Sequence, residues 1–175
     1  QANIFRFSES DCHIESLRML KRMAMMVNYL YNHCFALPPE VPIVAPSSID
    51  FGEAQRQWSQ LTSFGKRYSN IHNAMALGTK LHSVGLSSDD WNSYYALTKD
   101  EIQLLAEVEH NRWSVEELML GYRPTTAEED ARIEQDVSLK KQLRERRIHY
   151  DLRAFDDLRA DATGKNVNVY DLALT

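Results

Sequence analysis

The apolar residues of this 175-residue chain recur at the spacing of an α-helix, and that spacing is the strongest constraint on its fold. Between Glu9 and Phe35 they return every three or four positions, which places them on one face of a helix with 3.6 residues per turn. No segment alternates apolar and polar residues for long enough to form a sheet. The pattern therefore predicts an all-α fold.

Residues 51–84 continue the same spacing after a proline-rich connection, in which four of the chain's five prolines predict an irregular, extended segment. We expect two helices here, separated near Phe64 and Gly65. Gly85 is typical of the residue that follows a helix end, because glycine adopts the left-handed conformation without strain. The second of these helices is therefore expected to end just before Gly85.

Thr98 and Glu101 have the Thr-x-x-Glu spacing of a capping box, in which each side chain accepts a hydrogen bond from the other residue's backbone N–H. They predict a helix that begins there and ends at Gly121. Helical residues resume over about 126–147, and a last short helix is expected over 166–174. The second half is thus helical as well.

The two halves of the chain have the same order of features: a long helix, a variable insert, an aromatic-x-x-Leu segment and a helix that opens on asparagine. Residues 23–31 match residues 105–113 in their apolar positions, so that Asn28 takes the place of His110. A shared order of this kind predicts a tandem repeat.

We expect one repeat over residues 9–86, a linker over 87–100 and a second repeat, truncated at its end, over 101–175. The chain begins and ends abruptly in segments that look like parts of secondary structure. It is therefore expected to be a piece of a larger protein.

Charge and composition argue against several partner classes. The chain has 25 acidic and 20 basic residues, a net charge of −5, so nucleic acid and anionic membranes are unfavourable partners. No apolar run is long enough to span a bilayer.

Cys12 and Cys34 are too few and too far apart for a disulfide framework, and reduced thiols predict a cytoplasmic location. Each cysteine adjoins a histidine, His13 or His33, but this spacing is unlike that of usual zinc ligands.

The segment 105–122 combines charged and aromatic side chains with a helical apolar pattern. Arg112 follows Glu109 by three residues and precedes Glu116 by four, so a helix would hold the arginine between two carboxylates. The apolar residues of the helix fall on two faces, which predicts a central helix packed on both sides. One face has Leu104, Val108, Val115, Leu118 and Met119; the other has Ile102, Ala106, Trp113 and Leu120.

Three interpretations of this segment remain open. Arg112 could form a structural ion pair beside a core histidine and a core tryptophan. His110, Arg112, Trp113 and Tyr122 could instead line a pocket, since a planar aromatic ring and a forked cation suit a nucleobase and an anion. Catalysis is the third: Glu107-x-x-His110 matches a di-iron motif, but that motif is needed on two helices and occurs once. We expect no enzyme activity, catalytic residue, metal or cofactor.

The same residues resemble the ryanodine-receptor repeat (RyR) domain, in particular its bacterial relatives. The family has a His-x-x-Trp-x-x-Glu helix followed by Gly-Trp or Gly-Tyr, and here His110, Trp113, Glu116, Gly121 and Tyr122 fit. A later loop and closing segment fit at His149, Leu152, Phe155 and Leu158, although Tyr150 and Ala154 stand where the family has prolines. The first half resembles a degenerate copy, in which the matching residues are Asn28, Tyr31, Trp58, Arg67 and Asn70.

The resemblance implies a pair of helical repeats with internal pseudo-two-fold symmetry. It also implies a non-catalytic regulatory or sensory module, because such repeats regulate larger proteins and are associated with adenine-nucleotide binding between repeats. We expect a small anionic ligand, with a nucleotide as the candidate, and other domains of a larger bacterial protein as partners. The expected ligand-binding residues are His110, Arg112, Trp113, Glu116, Tyr122, Arg67, Asn70 and Trp58.

Two alternatives to ligand binding remain. The aromatic linker that contains Trp91, Tyr94 and Tyr95 could anchor a partner protein or a second copy of the chain, which would make the protein a homo-oligomer. A metal-dependent enzyme is the less favoured alternative.

Overall fold

The protein is mostly α-helical in a computed structural model that describes residues 13–37, 46–87 and 97–158. Two strands of two residues each accompany the helices, and a short 3₁₀ helix closes the described part. The predicted all-α fold is confirmed. The helices are α1 (His13–Ala36), α2 (Phe51–Gln60), α3 (Phe64–Ser83), α4 (Lys99–Met119), α5 (Ala127–Gln135) and α6 (Leu139–Glu145); the strands are β1 (Arg123–Pro124) and β2 (Ile148–His149); the 3₁₀ helix is Phe155–Asp157.

Helix α4 begins and ends where its cap residues predict. The Glu101 backbone N–H donates to Thr98 Oγ1 at 3.3 Å, and the Thr98 backbone N–H donates to Glu101 Oε2 at 2.7 Å. This reciprocal pair satisfies two donors that a helix start leaves without partners. Gly121 follows the helix with φ +84°, and Gly85 has φ +75° after α3. Both glycine stops are confirmed.

The predicted break at Phe64 and Gly65 is wrong by a few residues. Helix α2 ends at Gln60 and α3 begins at Phe64, so that both residues lie inside α3. The reason is Ser63, whose side chain accepts a hydrogen bond from the Lys66 backbone N–H at 3.4 Å. A serine cap outweighs the weak helix preference of a glycine in the first turn.

The second half folds back onto the end of α4 through a parallel pairing of β1 with β2, in which Pro124 lies opposite His149. The Arg123 N–H also donates to the Arg147 carbonyl at 2.9 Å. Arg147 has φ +60°, the left-handed region that non-glycine residues rarely adopt. The segment after α6 is therefore held beside the residues that follow α4.

The buried apolar residues form two separate clusters, one in each half of the chain. Ala24, Trp58 and Ala74 join α1, α2 and α3. The second cluster joins α5, α6 and the residues around β2, and contains Ile133, Leu143, Ile148 and Tyr150. The division into two repeats and their pseudo-symmetry stay predictions.

The prediction that α4 buries two apolar faces is wrong for one of them. On the other predicted face Ala106 is buried, and Ile102, Trp113 and Leu120 are half-buried. Leu104, Val115, Leu118 and Met119 are exposed, and the buried residues of α4 are Leu105, Ala106, Glu109, His110, Glu116 and Glu117. The helix turns a largely polar stripe toward α3 and the loop after β2. Periodicity alone did not predict this, because the buried carboxylates of α4 are compensated by Arg112 on the same helix together with Lys80 on α3.

Several predictions lie outside the described residues. These are the final helix over 166–174, the aromatic linker around Trp91, and Cys12. Cys34 is a buried thiol. No helix in the described part of the chain is both long and apolar enough to cross a membrane.

Candidate functional site

Arg112 lies between two carboxylates of its own helix, as its spacing predicts. Its Nε and Nη2 atoms donate to Glu109 Oε2 and Oε1 at 2.9 and 2.8 Å, and its Nη1 donates to Glu116 Oε2 at 2.6 Å. The fork of the guanidinium suits this bidentate contact. The cation that sequence reasoning assigned to an anionic ligand thus already has two carboxylates as partners.

Lys80, which sequence analysis did not single out, enters this network from α3. Its Nζ lies 3.2 Å from Glu109 Oε2 and 3.3 Å from Asn73 Oδ1, and the Lys80 and Glu109 side chains are each 2% exposed. Burial disfavours ionisation of Glu109, but hydrogen bonds from Arg112 and the charges of Lys80 and Arg112 hold its pKa below the usual range. Lys80 could have been noticed as a lysine in line with the apolar residues of α3.

His72 of α3 completes the network at its other end. Its Nδ1 lies 3.8 Å from Glu116 Oε2, and its ring is 3.9 Å from that of Tyr68. Glu116 is buried, and its second oxygen, Oε1, has no hydrogen-bond partner among the described residues. Lys80, Arg112, Glu109 and Glu116 carry two positive and two negative formal charges, so their formal charges cancel. We call these four residues the α3–α4 ion network.

The motif residues His110, Trp113 and Tyr122 come together around His149, next to the ion network rather than within it. The Trp113 ring lies 4.9 Å from the His149 ring and 5.6 Å from the His110 ring, and Tyr122 lies 6.0 Å from His149. His110 also contacts the ring of Phe155. The structure therefore gathers His110, Trp113 and Tyr122 into one cluster, while Arg112 and Glu116 belong to the ion network.

This cluster fastens the loop after β2 to α4. His110 Nε2 lies 2.8 Å from the Arg153 carbonyl oxygen, and the Arg153 side chain binds Asp130 at 3.1 Å. Arg147 stacks on Tyr122 at 5.2 Å and donates to the Leu120 carbonyl at 2.6 Å. The motif thus has an evident packing role.

His149 is neutral in this cluster. Burial, with the nearby charges of Arg144 and Lys140, lowers its pKa to about 3. The Asp151 backbone N–H donates to Nδ1 at 3.2 Å, which places the proton of the neutral ring on Nε2. Nε2 has no hydrogen-bond partner among the described residues. Burial also raises the pKa of Asp151.

Trp58, Arg67 and Asn70, the predicted ligand-binding residues of the first half, lie against α1. Asn70 Nδ2 donates to Asn28 Oδ1 at 3.1 Å. Arg67 stacks on the Trp58 ring at 5.6 Å and donates to the backbone carbonyls of Leu61 and Trp58. These partners of Arg67 are backbone carbonyls rather than carboxylates, so they carry no negative charge that would offset that of the guanidinium.

A cavity of about 480 Å³ opens beside Arg67, between α1, α2 and the start of α3. Four cationic side chains and no carboxylate are among the described residues that line it. We call it the α1–α2 pocket; its lining is Arg18, Lys21, Arg22, Met25, Gln55, Trp58, Ser59 and Arg67. Sequence analysis missed the three cations of α1, although their spacing at positions 18, 21 and 22 places them on one helix face.

A second cavity of about 480 Å³ lies at the loop after β2 and has the opposite character. Asp130, Asp156 and Asp157 line it with Arg153, which is already paired with Asp130. An anionic ligand would meet three carboxylates here. The second half of the chain therefore offers a poorer anion site than the first.

Among residues 13–37, 46–87 and 97–158, no three His, Cys, Asp or Glu side chains are grouped so that they could hold a metal ion. Comparison of the chain with protein-family models, with curated proteins and with solved structures finds no match.

Proposed function

We propose that this chain is a non-catalytic regulatory module, similar to a ryanodine-receptor repeat, that binds a small anionic ligand in the α1–α2 pocket. A nucleotide is the candidate ligand. The observation that carries the proposal is the pocket's lining, which among the described residues has four cationic side chains, one indole ring and no carboxylate. This location differs from the repeat interface that the resemblance implies. We place the ligand among the helices of the first half because Arg112 is already paired with two carboxylates.

The size and charge of the pocket both support this assignment. Small-molecule sites commonly occupy about 300–1,000 Å³, and the cavity falls in that range. Lys21 is exposed, and Arg22 lies over the Phe51 ring at 5.5 Å, so both cations border solvent at the pocket's edge. Arg18 Nη1 donates to Glu15 Oε1 at 2.7 Å. Both side chains are exposed, and an exposed ion pair is weak enough for a ligand to replace it. Phosphate oxygens would therefore meet cationic donors at the solvent edge of the pocket.

Apolar contact comes from Trp58 and Met25. Trp58 is mostly buried, but it contributes to the pocket wall and already holds the Arg67 guanidinium over its ring. An aromatic surface beside cations suits a ligand that combines a planar base with an anionic group. We therefore expect ATP or ADP to bind more tightly than pyrophosphate, and pyrophosphate more tightly than adenosine.

The test is a titration of the chain with ATP, pyrophosphate and adenosine. Isothermal titration calorimetry measures each dissociation constant, and thermal unfolding measures the stabilisation by each ligand. Saturation at about 100 times the dissociation constant stabilises a protein by roughly 2.7 kcal/mol. Lys21→Glu reverses one pocket charge and should weaken ATP binding about tenfold or more, as expected for loss of a charge-assisted contact.

Lys141→Glu is the matched control, because Lys141 is an exposed lysine of α6 in the other half of the chain. It makes the same change in net charge and should leave ATP affinity within about twofold. The proposal fails if neither ATP nor pyrophosphate binds, or if the two variants weaken binding equally.

A further inference from the structure

Two arginines of the α1–α2 pocket lie over aromatic rings of α2. Arg22 Cζ, from α1, is 5.5 Å from the centre of the Phe51 ring, and Arg67 Cζ, from α3, is 5.6 Å from the Trp58 ring. Phe51 and Trp58 are seven residues apart on α2, which is close to two helical turns, so both lie on the same side of that helix. The two cations therefore reach one side of α2 from different helices.

The two guanidinium groups are spaced along α2 rather than side by side. A helix rises about 1.5 Å per residue, so the positions of Phe51 and Trp58 are about 10 Å apart along its axis. Met25 and Gln55, which carry no charge, line the same pocket. The pocket thus offers two separate positions for anionic groups, with uncharged side chains beside the atoms that would join them.

Both arginines have N–H groups left for a ligand. Arg67 donates through Nε to the Leu61 carbonyl and through Nη2 to the Trp58 carbonyl, which uses only part of its guanidinium. Arg22 is exposed beside the Phe51 ring. Among the described residues, no carboxylate contacts either side chain. Each guanidinium can therefore bind a phosphate through paired N–H···O bonds.

The other two cations of the pocket are less fixed. Lys21 is exposed, and Arg18 is paired with Glu15 in an exposed contact. A side chain that is already held against a ring loses less conformational freedom when a ligand binds. All four cations attract anions, whereas Arg22 and Arg67 have the fixed positions that can select between anions.

The spacing of these two arginines favours a ligand with phosphates at two separate positions. ADP and ATP carry their phosphates in one chain on the 5′ side of the ribose, whereas a nucleoside 3′,5′-bisphosphate has one phosphate on each side. Building on the function proposed above, we propose that the α1–α2 pocket selects a nucleoside 3′,5′-bisphosphate. One phosphate binds Arg22, the other binds Arg67, and the apolar wall at Met25 and Trp58 contacts the nucleoside.

Isothermal titration calorimetry with two isomers tests this preference. ADP and adenosine 3′,5′-bisphosphate contain the same atoms, and only the second has its phosphates apart. The wild-type chain should bind the bisphosphate about tenfold more tightly, as expected when a second phosphate gains a charge-assisted contact. Equal affinities would overturn the preference and leave the anion site of the proposed function in place.

Arg22→Gln is the decisive variant, because Arg22 is exposed and the helices should form without it. With one stacked arginine left, each isomer can anchor phosphate at only one position, so the two affinities should become equal within about twofold. Arg67→Gln should have the same effect. Circular dichroism checks that its helices persist without the bonds to two backbone carbonyls.

Lys21→Gln is the matched control, because it removes one charge from the same pocket and leaves both stacked arginines. It should weaken both isomers to a similar extent and keep the preference of about tenfold. The bisphosphate has a larger negative charge than ADP when both are fully ionised, and a preference due to charge alone would shrink equally in Lys21→Gln and Arg22→Gln. That result, or a preference that persists in Arg22→Gln, would overturn the inference. If neither isomer nor ATP binds, the proposed function fails as well.

Discussion

Lys80 Nζ lies 3.2 Å from Glu109 Oε2, and both side chains are almost completely buried between α3 and α4. This ion pair joins the helix of the first half to the central helix of the second. Burial of the two charges is costly, and Arg112 and Asn73 supply the further hydrogen bonds that such a pair needs. The contact between α3 and α4 therefore includes a buried polar network whose charges balance.

Glu109→Gln is expected to lower the free energy of unfolding by about 3–5 kcal/mol, because it leaves Lys80 buried without its counter-charge. Lys80→Met should cost less, since Glu109 keeps its two bonds from Arg112 and methionine fills the space. Urea unfolding measures both. Glu107→Gln, an exposed change on the same helix, should stay within about 0.5 kcal/mol. Equal effects at positions 107 and 109 would contradict the buried network.

Arg112→Lys tests whether the arginine is structural or binds the ligand. Lysine keeps the charge but cannot contact Glu109 and Glu116 with a planar fork, so we expect a loss of about 1–3 kcal/mol in unfolding free energy. ATP affinity, measured where the variant is folded, should be unchanged. A large loss of affinity without loss of stability would instead favour the predicted ligand role.

His149 predicts a pH dependence of stability between about pH 6.5 and pH 3. Its folded-state pKa of about 3 lies below that of a histidine in an unfolded chain, so the unfolded state binds the proton first as pH falls. Stability should decline by at most about 1.4 kcal/mol per pH unit from this residue. Urea midpoints between about pH 7 and pH 5 avoid the titration of carboxyls with ordinary pKa values. Asp151 and Glu117, whose pKa values burial raises, contribute a slope of opposite sign, so the histidine's part is the difference between wild type and variant.

His149→Asn is the variant for this measurement, because its Oδ1 can still accept the Asp151 N–H. It should be less stable at neutral pH, since it loses the ring contacts, but its stability should vary less with pH. His82→Asn, at an exposed position, should keep the wild-type slope. If His149→Asn retains that slope as well, another group is responsible.

Gly121 and Gly65 should respond in opposite directions to alanine. Gly121 has φ +84°, so Gly121→Ala should cost about 1–2 kcal/mol through backbone strain, although nothing would touch the new methyl group. Gly65 lies in α3 with nothing within 4 Å of an added Cβ, so Gly65→Ala should stabilise by about 0.5–1 kcal/mol. Thermal unfolding measures both, and a shift in the same direction would be unexpected.

Thr98→Ala should destabilise the protein by about 1 kcal/mol, because it removes the side-chain acceptor at the start of α4. Thr98→Ser keeps an oxygen in nearly the same place and is the control. Equal stability of the alanine and serine variants would mean that α4 does not depend on its cap.

Local interactions were predictable from the order of residues. The capping box of Thr98 and Glu101 and the stop at Gly121 involve neighbours within one or two turns, so the sequence is sufficient to identify them. The contact of Arg112 with Glu109 and Glu116 is of the same kind, since any helix brings residues three and four apart together. The clustering of Trp113 with His149 was not predictable in this way, because the two residues are 36 positions apart.

Tertiary structure decided which faces of those helices are buried. Sequence alone determined that α4 is a helix with Arg112 between two carboxylates, and hydrophobicity favoured burial of both of its apolar faces. Lys80, which is 29 positions away in the sequence, supplies the positive charge that allows Glu109 to be buried. The side of α4 that has Glu109 therefore faces α3, and Leu104 and Val115 on the other side are exposed to solvent. The cost of burying a charge depends on its partner across the interface, and that distance is set only when the chain folds.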